Sequence, residues 1–140
     1  FQTNFFATVK ITRHYLAKMV ERKSGIIINM CSIASFIAGG GGAAYTASKH
    51  ALAGFTRQLA LDYAKDKIQI FGIAPGAVKT AMTASDFEPG GLADWVAQET
   101  PIGRWSNPEE IADLTEFLAS GKANSMQGEI IKIDGGWSLN

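Results

Sequence analysis

Three short apolar runs constrain this chain more than any other feature: IIINMC at 26–31, IQIFGIAP at 68–75 and EIIKID at 129–134. The runs are rich in β-branched residues and lack a clean polar alternation, which suits strands of a sheet buried on both faces. The stretches between them repeat at a helical period. Phe5, Val9, Thr12, Leu16 and Met19 share one stripe, with Lys10, Arg13 and Glu21 on other faces and Ser24-Gly25 as the stop. A long helix is predicted from about Ala43 to Lys65, with Leu52, Phe55, Leu59 and Tyr63 on its inner stripe. Asn107-Pro108-Glu109-Glu110 is a strong helix start, because Asn caps, Pro fits the first turn and Glu110 can close a capping box. Gly121 ends that helix. Residues 77–103 are less regular, broken at Pro89-Gly90-Gly91, with LADWVAQ at 92–98 as a short helix.

The predicted order is helix, strand, helix, strand, loop, helix, strand. Buried strands alternating with helices imply right-handed crossovers and a parallel sheet, so the expected class is α/β. Residues 1–140 read as a single domain, without repeats or a low-complexity linker. The first strand would carry an open edge if nothing preceded it, a first sign that the sheet continues on its N-terminal side.

Composition narrows the function. Thirteen basic and thirteen acidic residues cancel, so no basic field points to nucleic acid and no charged tail to a membrane surface. No run approaches the length of a membrane span, and no secretory signal opens the chain. The single cysteine, Cys31, has no internal disulfide partner, which fits a reducing, cytoplasmic setting. His14 and His50 have no partners at metal-ligand spacing, so no metal site is expected.

Residues 39–49, GGGGAAYTASK, admit two readings. Gly39, Gly41 and Ala44 formally fit the dinucleotide fingerprint, with Asp62 about twenty residues on. That fingerprint follows a strand directly and its acid ends the next strand. Here Ser32–Ala38 intervene and Asp62 lies within a helix, so a loop that serves the fold is the better reading. Tyr45 and Lys49 are four apart and project from one helix face. A lysine ammonium beside a phenol favours the phenolate, which makes a tyrosine usable for proton transfer. Many helices carry such a pair on a solvated surface, so its setting must decide. Ser32 follows the first strand and Pro75-Gly76 ends the second, at the carboxyl edge where open α/β sheets bind ligands.

Asn4 in the opening helix, Ser32, Tyr45 thirteen residues on, Lys49, PGAVKT at 75–80 and DGG at 134–136 together resemble the short-chain dehydrogenase/reductase family. The resemblance covers the whole chain and corresponds to the C-terminal part of a Rossmann-type, doubly wound parallel sheet. The family's first strands and its nucleotide-binding glycine motif would lie upstream of Phe1. The resemblance implies hydride transfer between NAD or NADP and a ketone or secondary alcohol. Tyr45 would be the general acid/base, Lys49 would assist it and hold the nicotinamide ribose, and Ser32 would orient the carbonyl oxygen. Asn4 would hold a relay water. Pro75, Gly76, Val78 and Thr80 would border the nicotinamide, although Thr80 also reads as a helix cap.

Residues 81–100 match the family's variable substrate lid, where Met82, Phe87, Leu92, Trp95 and Val96 would either line an apolar pocket or simply pack the segment down. The exposed faces of the first two helices and the last strand resemble the surfaces through which family members form dimers and tetramers. Cys31 reads as a packing residue. Two departures bear on substrate. Phe71 stands where the family often has Asn, and Asp66 stands where carrier-docking reductases carry a basic residue beyond Lys23. Acyl-carrier docking is therefore weakened relative to a small diketone, hydroxyketone or sugar. Two other readings compete: a fragment that folds and oligomerises without cofactor, and a nucleotide-binding module built on the glycine run.

Overall fold

The computed structural model describes residues 1–140. A π-helical turn, Gln2–Phe6, leads into α1, Ala7–Arg22. β1 (Gly25–Met30), α2 (Gly42–Tyr63) and β2 (Ile68–Pro75) follow. A 3-10 helix, Ala81–Phe87, and α3 (Ala93–Glu99) precede α4 (Pro108–Ala119) and β3 (Ile130–Ile133). The strands form one parallel sheet in the order β1-β2-β3, with Ile27 opposite Ile70 and Ile73 opposite Ile131.

Helices cover both faces. On one, Leu16 of α1 and Leu59 and Ala60 of α2 pack on Ile68 and Ile70, while Leu52 and Ala53 reach Ala74 and Ile130. On the other, Leu118 of α4 closes on Phe71 and Ile73. The inner stripe of α2 is wider than its large residues predict. Ala53, Thr56 and Ala60 are buried too, and their small side chains let the helix lie close to the sheet. β2 is buried as expected, Ile70, Phe71 and Ile73 being fully enclosed. β1 departs from expectation: as an edge strand it is only half covered, and Met30 at its end is exposed. The stop of α1 also differs, since Lys23 rather than a glycine takes the left-handed position (φ 53°) that returns its N–H to Met19 and Val20.

Two polar devices fix the sheet and α4. Below β3, Gln127 takes over the pairing of β2: Oε1 accepts from the Ile70 N–H at 3.1 Å, and Nε2 donates to the Ala60 and Ile68 carbonyls at 2.8 and 3.0 Å. Gln127→Ala leaves the buried Ile70 N–H without an acceptor, and we expect a loss of about 1–3 kcal/mol in urea unfolding. An unchanged midpoint would show that water replaces the amide.

At the start of α4, Glu110 accepts from Arg104 at 2.9 and 3.0 Å and from the Asn107 N–H at 2.7 Å, the reciprocal half of the capping box. These bonds, Arg104's foremost, hold the Glu110 carboxyl down at about 2. A carboxyl depressed on folding adds stability above its ordinary range, and that stability is lost as pH falls from 4.5 toward about 2. Glu110→Gln should therefore flatten the acid limb of stability against pH across that window. The change is small because the pair is solvent-exposed. Parallel acid limbs for the two proteins would remove the pair from the account.

Candidate active site

The carboxyl edge of the sheet gathers most of the chemistry-bearing residues. Ser32 is extended (φ −166°, ψ 161°), caps the turn Ile33–Ser35 and is nearly buried. Its Oγ accepts from the Ala34 N–H at 3.1 Å, which leaves the hydroxyl proton free to be donated. Gly41 precedes α2 in the left-handed region (φ 93°). A Cβ there would come within 2.5 Å of Tyr45 Cδ1 and 2.8 Å of Cγ. The Tyr45 ring thus lies directly against a bare α-carbon, and the glycine run is its floor.

Lys49 stands one turn further along α2. Its Nζ lies 5.7 Å from the centre of the Tyr45 ring and donates to the Met30 carbonyl at 2.8 Å. Burial lowers the Lys49 ammonium below its ordinary value, with nearby Cys31 opposing. No hydrogen bond joins the Tyr45 hydroxyl to Ser32 or Lys49 in this structure. Burial foremost raises the Cys31 thiol, against smaller opposing effects from Thr56 and Lys49, so it stays an inert packing group, as its sequence position predicts.

Side-chain links stitch this face of α2 in place. Asn4, within the π-helical turn, donates to Ser48 Oγ at 3.2 Å, and Ser48 donates to the Tyr45 carbonyl at 2.7 Å. Ser35 donates to the Lys49 carbonyl at 2.8 Å. Asn29 reaches Thr56 Oγ1 at 2.9 Å across the β1–α2 interface. Sequence reasoning singled out Asn4 and took Gly41 as part of a loop that serves the fold, but missed Ser35 and Ser48. Ser48 lies inside the Tyr45–Lys49 interval, and its phase on the helix was the one signal that could have found it.

The loop after β2 is fixed at both sides. The Gly76 N–H donates to Ile133 at 3.1 Å, and a Cβ on Gly76 would meet Asp134 Cβ at 2.8 Å. Val78 forms a bridge with Ser106, the Ser106 N–H donating to Ala77 at 2.9 Å and the Lys79 N–H to Ser106 at 3.0 Å. Thr80 is the N-cap of the 3-10 helix, and its N–H donates to Thr83 Oγ1 at 3.0 Å.

Of the five expected pocket residues of 81–100, Met82, Phe87, Leu92 and Trp95 are all partly or largely exposed, and only Phe87 and Trp95 have aromatic partners. Phe87 packs on Trp105 with ring centres 4.8 Å apart, Trp95 meets Trp137 at 6.0 Å, and Met82 and Leu92 are exposed. A groove of about 450 Å3 lies elsewhere, along β1 and α1, and its lining includes Asn4, Ile11, Tyr15, Met30 and Lys49.

A hydroxyl with a free proton, a phenol and an ammonium lie at one sheet edge beside a loop held on both sides, a set able to orient a carbonyl oxygen and exchange a proton with it. Residues 1–138 match the family model described as Enoyl-(Acyl carrier protein) reductase. The chain is 37% identical over 132 residues to 5-keto-D-gluconate 5-reductase of Escherichia coli (strain K12), covering 94% of this chain and 50% of that protein. A gluconate 5-dehydrogenase from Burkholderia cenocepacia J2315, solved in complex with NADP and tartrate, superposes with a TM-score of 0.92 at 31% identity over 98% of this chain and 54% of that one. A 4-hydroxyisoleucine dehydrogenase complexed with NADH gives 0.92 at 33% identity, over 98% and 57%. The chain belongs to the short-chain dehydrogenase/reductase family, and it spans about half the length of these relatives.

Proposed function

We propose that this chain carries the proton-transfer site of an NAD- or NADP-dependent oxidoreductase that interconverts a small polar ketone and its secondary alcohol. The observation that carries the reading is Tyr45, set on the Gly41 backbone at the start of α2 with Lys49 one turn on and the Ser32 hydroxyl at the end of β1. A bound nicotinamide would supply the hydride for the carbonyl carbon. Ser32 donates a hydrogen bond to the carbonyl oxygen as negative charge grows there. Tyr45 gives that oxygen its proton and takes one back in oxidation. Lys49, freed from Met30, supports the phenolate and holds ribose hydroxyls. Asn4 serves the proton relay behind it. Pro75, Gly76, Val78 and Thr80 would border the nicotinamide, on the loop that the Val78–Ser106 bridge ties down.

The substrate class follows from two supports. The relatives named above act on sugar acids or a hydroxyamino acid, all small and polar. Lys23, the expected basic contact for an acyl carrier, is instead paired with Asp66. Residues 81–100 form the substrate segment, with Met82, Phe87, Leu92 and Trp95 as its apolar residues. Exposed Ile11, Tyr15 and Leu61 on α1 and α2 support assembly into a homodimer or tetramer through those helices. No helix is long and apolar enough to cross a membrane, and the single reduced cysteine fits the cytoplasm.

Steady-state assays of the intact protein with NADH and NADPH test this reading. A keto sugar acid should be reduced far faster than a β-ketoacyl thioester. A preference for the thioester would overturn the substrate class, and no cofactor oxidation with either would overturn the activity.

A further inference from the structure

The DGG stretch at 134–136 has no role in the chemistry above, yet it is bound on every side at this edge of the sheet. Asp134 directly follows β3, and its two carboxylate oxygens each accept a backbone N–H, from Gly136 and from Ser138, at 3.0 Å. Burial works against the charge, but the bonds from Ser138 and Gly136 and the Lys132 ammonium outweigh it, and the carboxyl titrates below its ordinary value. The carboxylate so held shapes a final 3-10 turn, Trp137–Leu139.

On one side the turn abuts the loop after β2, where the Gly76 α-carbon admits no side chain against Asp134. On the other it holds the chain from 95 to 103 at four points. The Ile102 N–H donates to the Gly135 carbonyl at 3.2 Å. Gly135 and Gly136 have positive φ (62° and 88°), and a Cβ on Gly135 would lie 2.7 Å from Ile102 Cγ1 and 2.8 Å from Thr100 Cγ2. Asn140 donates to the Glu99 carbonyl at 3.1 Å. Trp137 meets Trp95 edge to face, at 75° between ring planes.

We infer that this turn is the joint that positions the 93–103 segment relative to the loop at 76–80, and that Trp137 is a positioning residue acting on substrate binding through Trp95. The inference rests on the proposed function, since it assigns 93–103 to the substrate side and 76–80 to the cofactor side. The mechanical reason is the number of ties. A strand end grips both segments, and the Val78–Ser106 bridge ties the loop to the chain just past 103, so their separation is set by these contacts rather than by the exposed residues of 81–92. The Trp105 indole N–H holds the start of α3 through the Ala93 carbonyl at 3.0 Å, and the edge-to-face pair fixes the azimuth of the rest of this helix of only two turns.

Trp137→Ala removes the ring contact and leaves the Asp134 turn intact; Trp137→Phe keeps an aromatic edge. In the Ala variant we expect KM for the ketone to rise about five- to tenfold with kcat nearly unchanged, and the Phe variant to restore most of the loss. Amide hydrogen exchange should quicken across 95–103 in the Ala variant alone. Asn140→Ala, a surface change that removes one tie, should quicken exchange in the same residues to a smaller extent. A fall in kcat with KM unchanged would overturn the positioning role. Exchange unaltered in both Trp137→Ala and Asn140→Ala would overturn the joint itself. Absence of turnover in the unsubstituted protein would instead strike the proposed function and, with it, the substrate role, while the exchange result still decides whether the joint exists.

Discussion

Tyr45→Phe in the intact protein is expected to lower turnover about 10²–10⁴-fold while cofactor affinity stays within about twofold. The substitution removes one oxygen and nothing else. The ring keeps its contact with Gly41, and the backbone carbonyl keeps its bond from Ser48. On the proposed function Ser32 would still donate to the substrate oxygen, so the loss isolates the proton rather than the binding of the carbonyl. Titration with NADPH separates the two quantities. A variant that binds cofactor and turns over near the parental rate would remove Tyr45 from the chemistry.

The second large effect is expected at Gly41. A methyl group there meets the Tyr45 ring at 2.5 Å, and the backbone sits at φ 93°, where an L side chain is strained. Gly41→Ala should cost about 1–3 kcal/mol of stability from the backbone alone. Displacing the ring should lower kcat at least tenfold, because proton transfer depends on placement within a few tenths of an ångström. The same variant decides between the two readings of the glycine run. A phosphate cradle predicts a large loss of cofactor affinity with the surviving turnover unimpaired at saturation. A floor under Tyr45 predicts the opposite split, with kcat reduced and cofactor affinity nearly retained.

Much of the fold was legible because it is written locally. β2 is bounded where its apolar run begins and where Pro75 ends it, and the start of α4 is set by the Asn107–Glu110 cap. The shared turn of α2 that carries Tyr45 and Lys49 was legible from helical phase, and the position of Ser32 just past β1 from the apolar run before it; their roles belong to the proposed function. What stayed hidden depends on contacts across the chain. Gln127 substitutes for a missing strand partner 57 residues away at Ile70, and nothing in its neighbourhood marks it. Lys49 donates its ammonium to the Met30 carbonyl, 19 residues earlier in the chain, a contact that no local pattern announces. The half exposure of β1 has the same origin: an apolar run reports the preference of the residues, whereas coverage depends on what lies beside them. The pocket residues of 81–100 were the least legible, because apolar residues in an irregular segment carry no period to assign a face. The structure gives Phe87 to Trp105 and Trp95 to Trp137.

The central claim is hydride transfer to a carbonyl carbon with Tyr45 supplying the proton. Isotope transfer tests it most directly: the intact protein is incubated with a keto sugar acid and NADPH or NADH deuterated at C4 of the nicotinamide, and the product is read by mass spectrometry. One deuterium should appear on the former carbonyl carbon in the parent, with transfer nearly abolished in Tyr45→Phe. Product formed without cofactor deuterium, or formed equally well by Tyr45→Phe, would contradict the account.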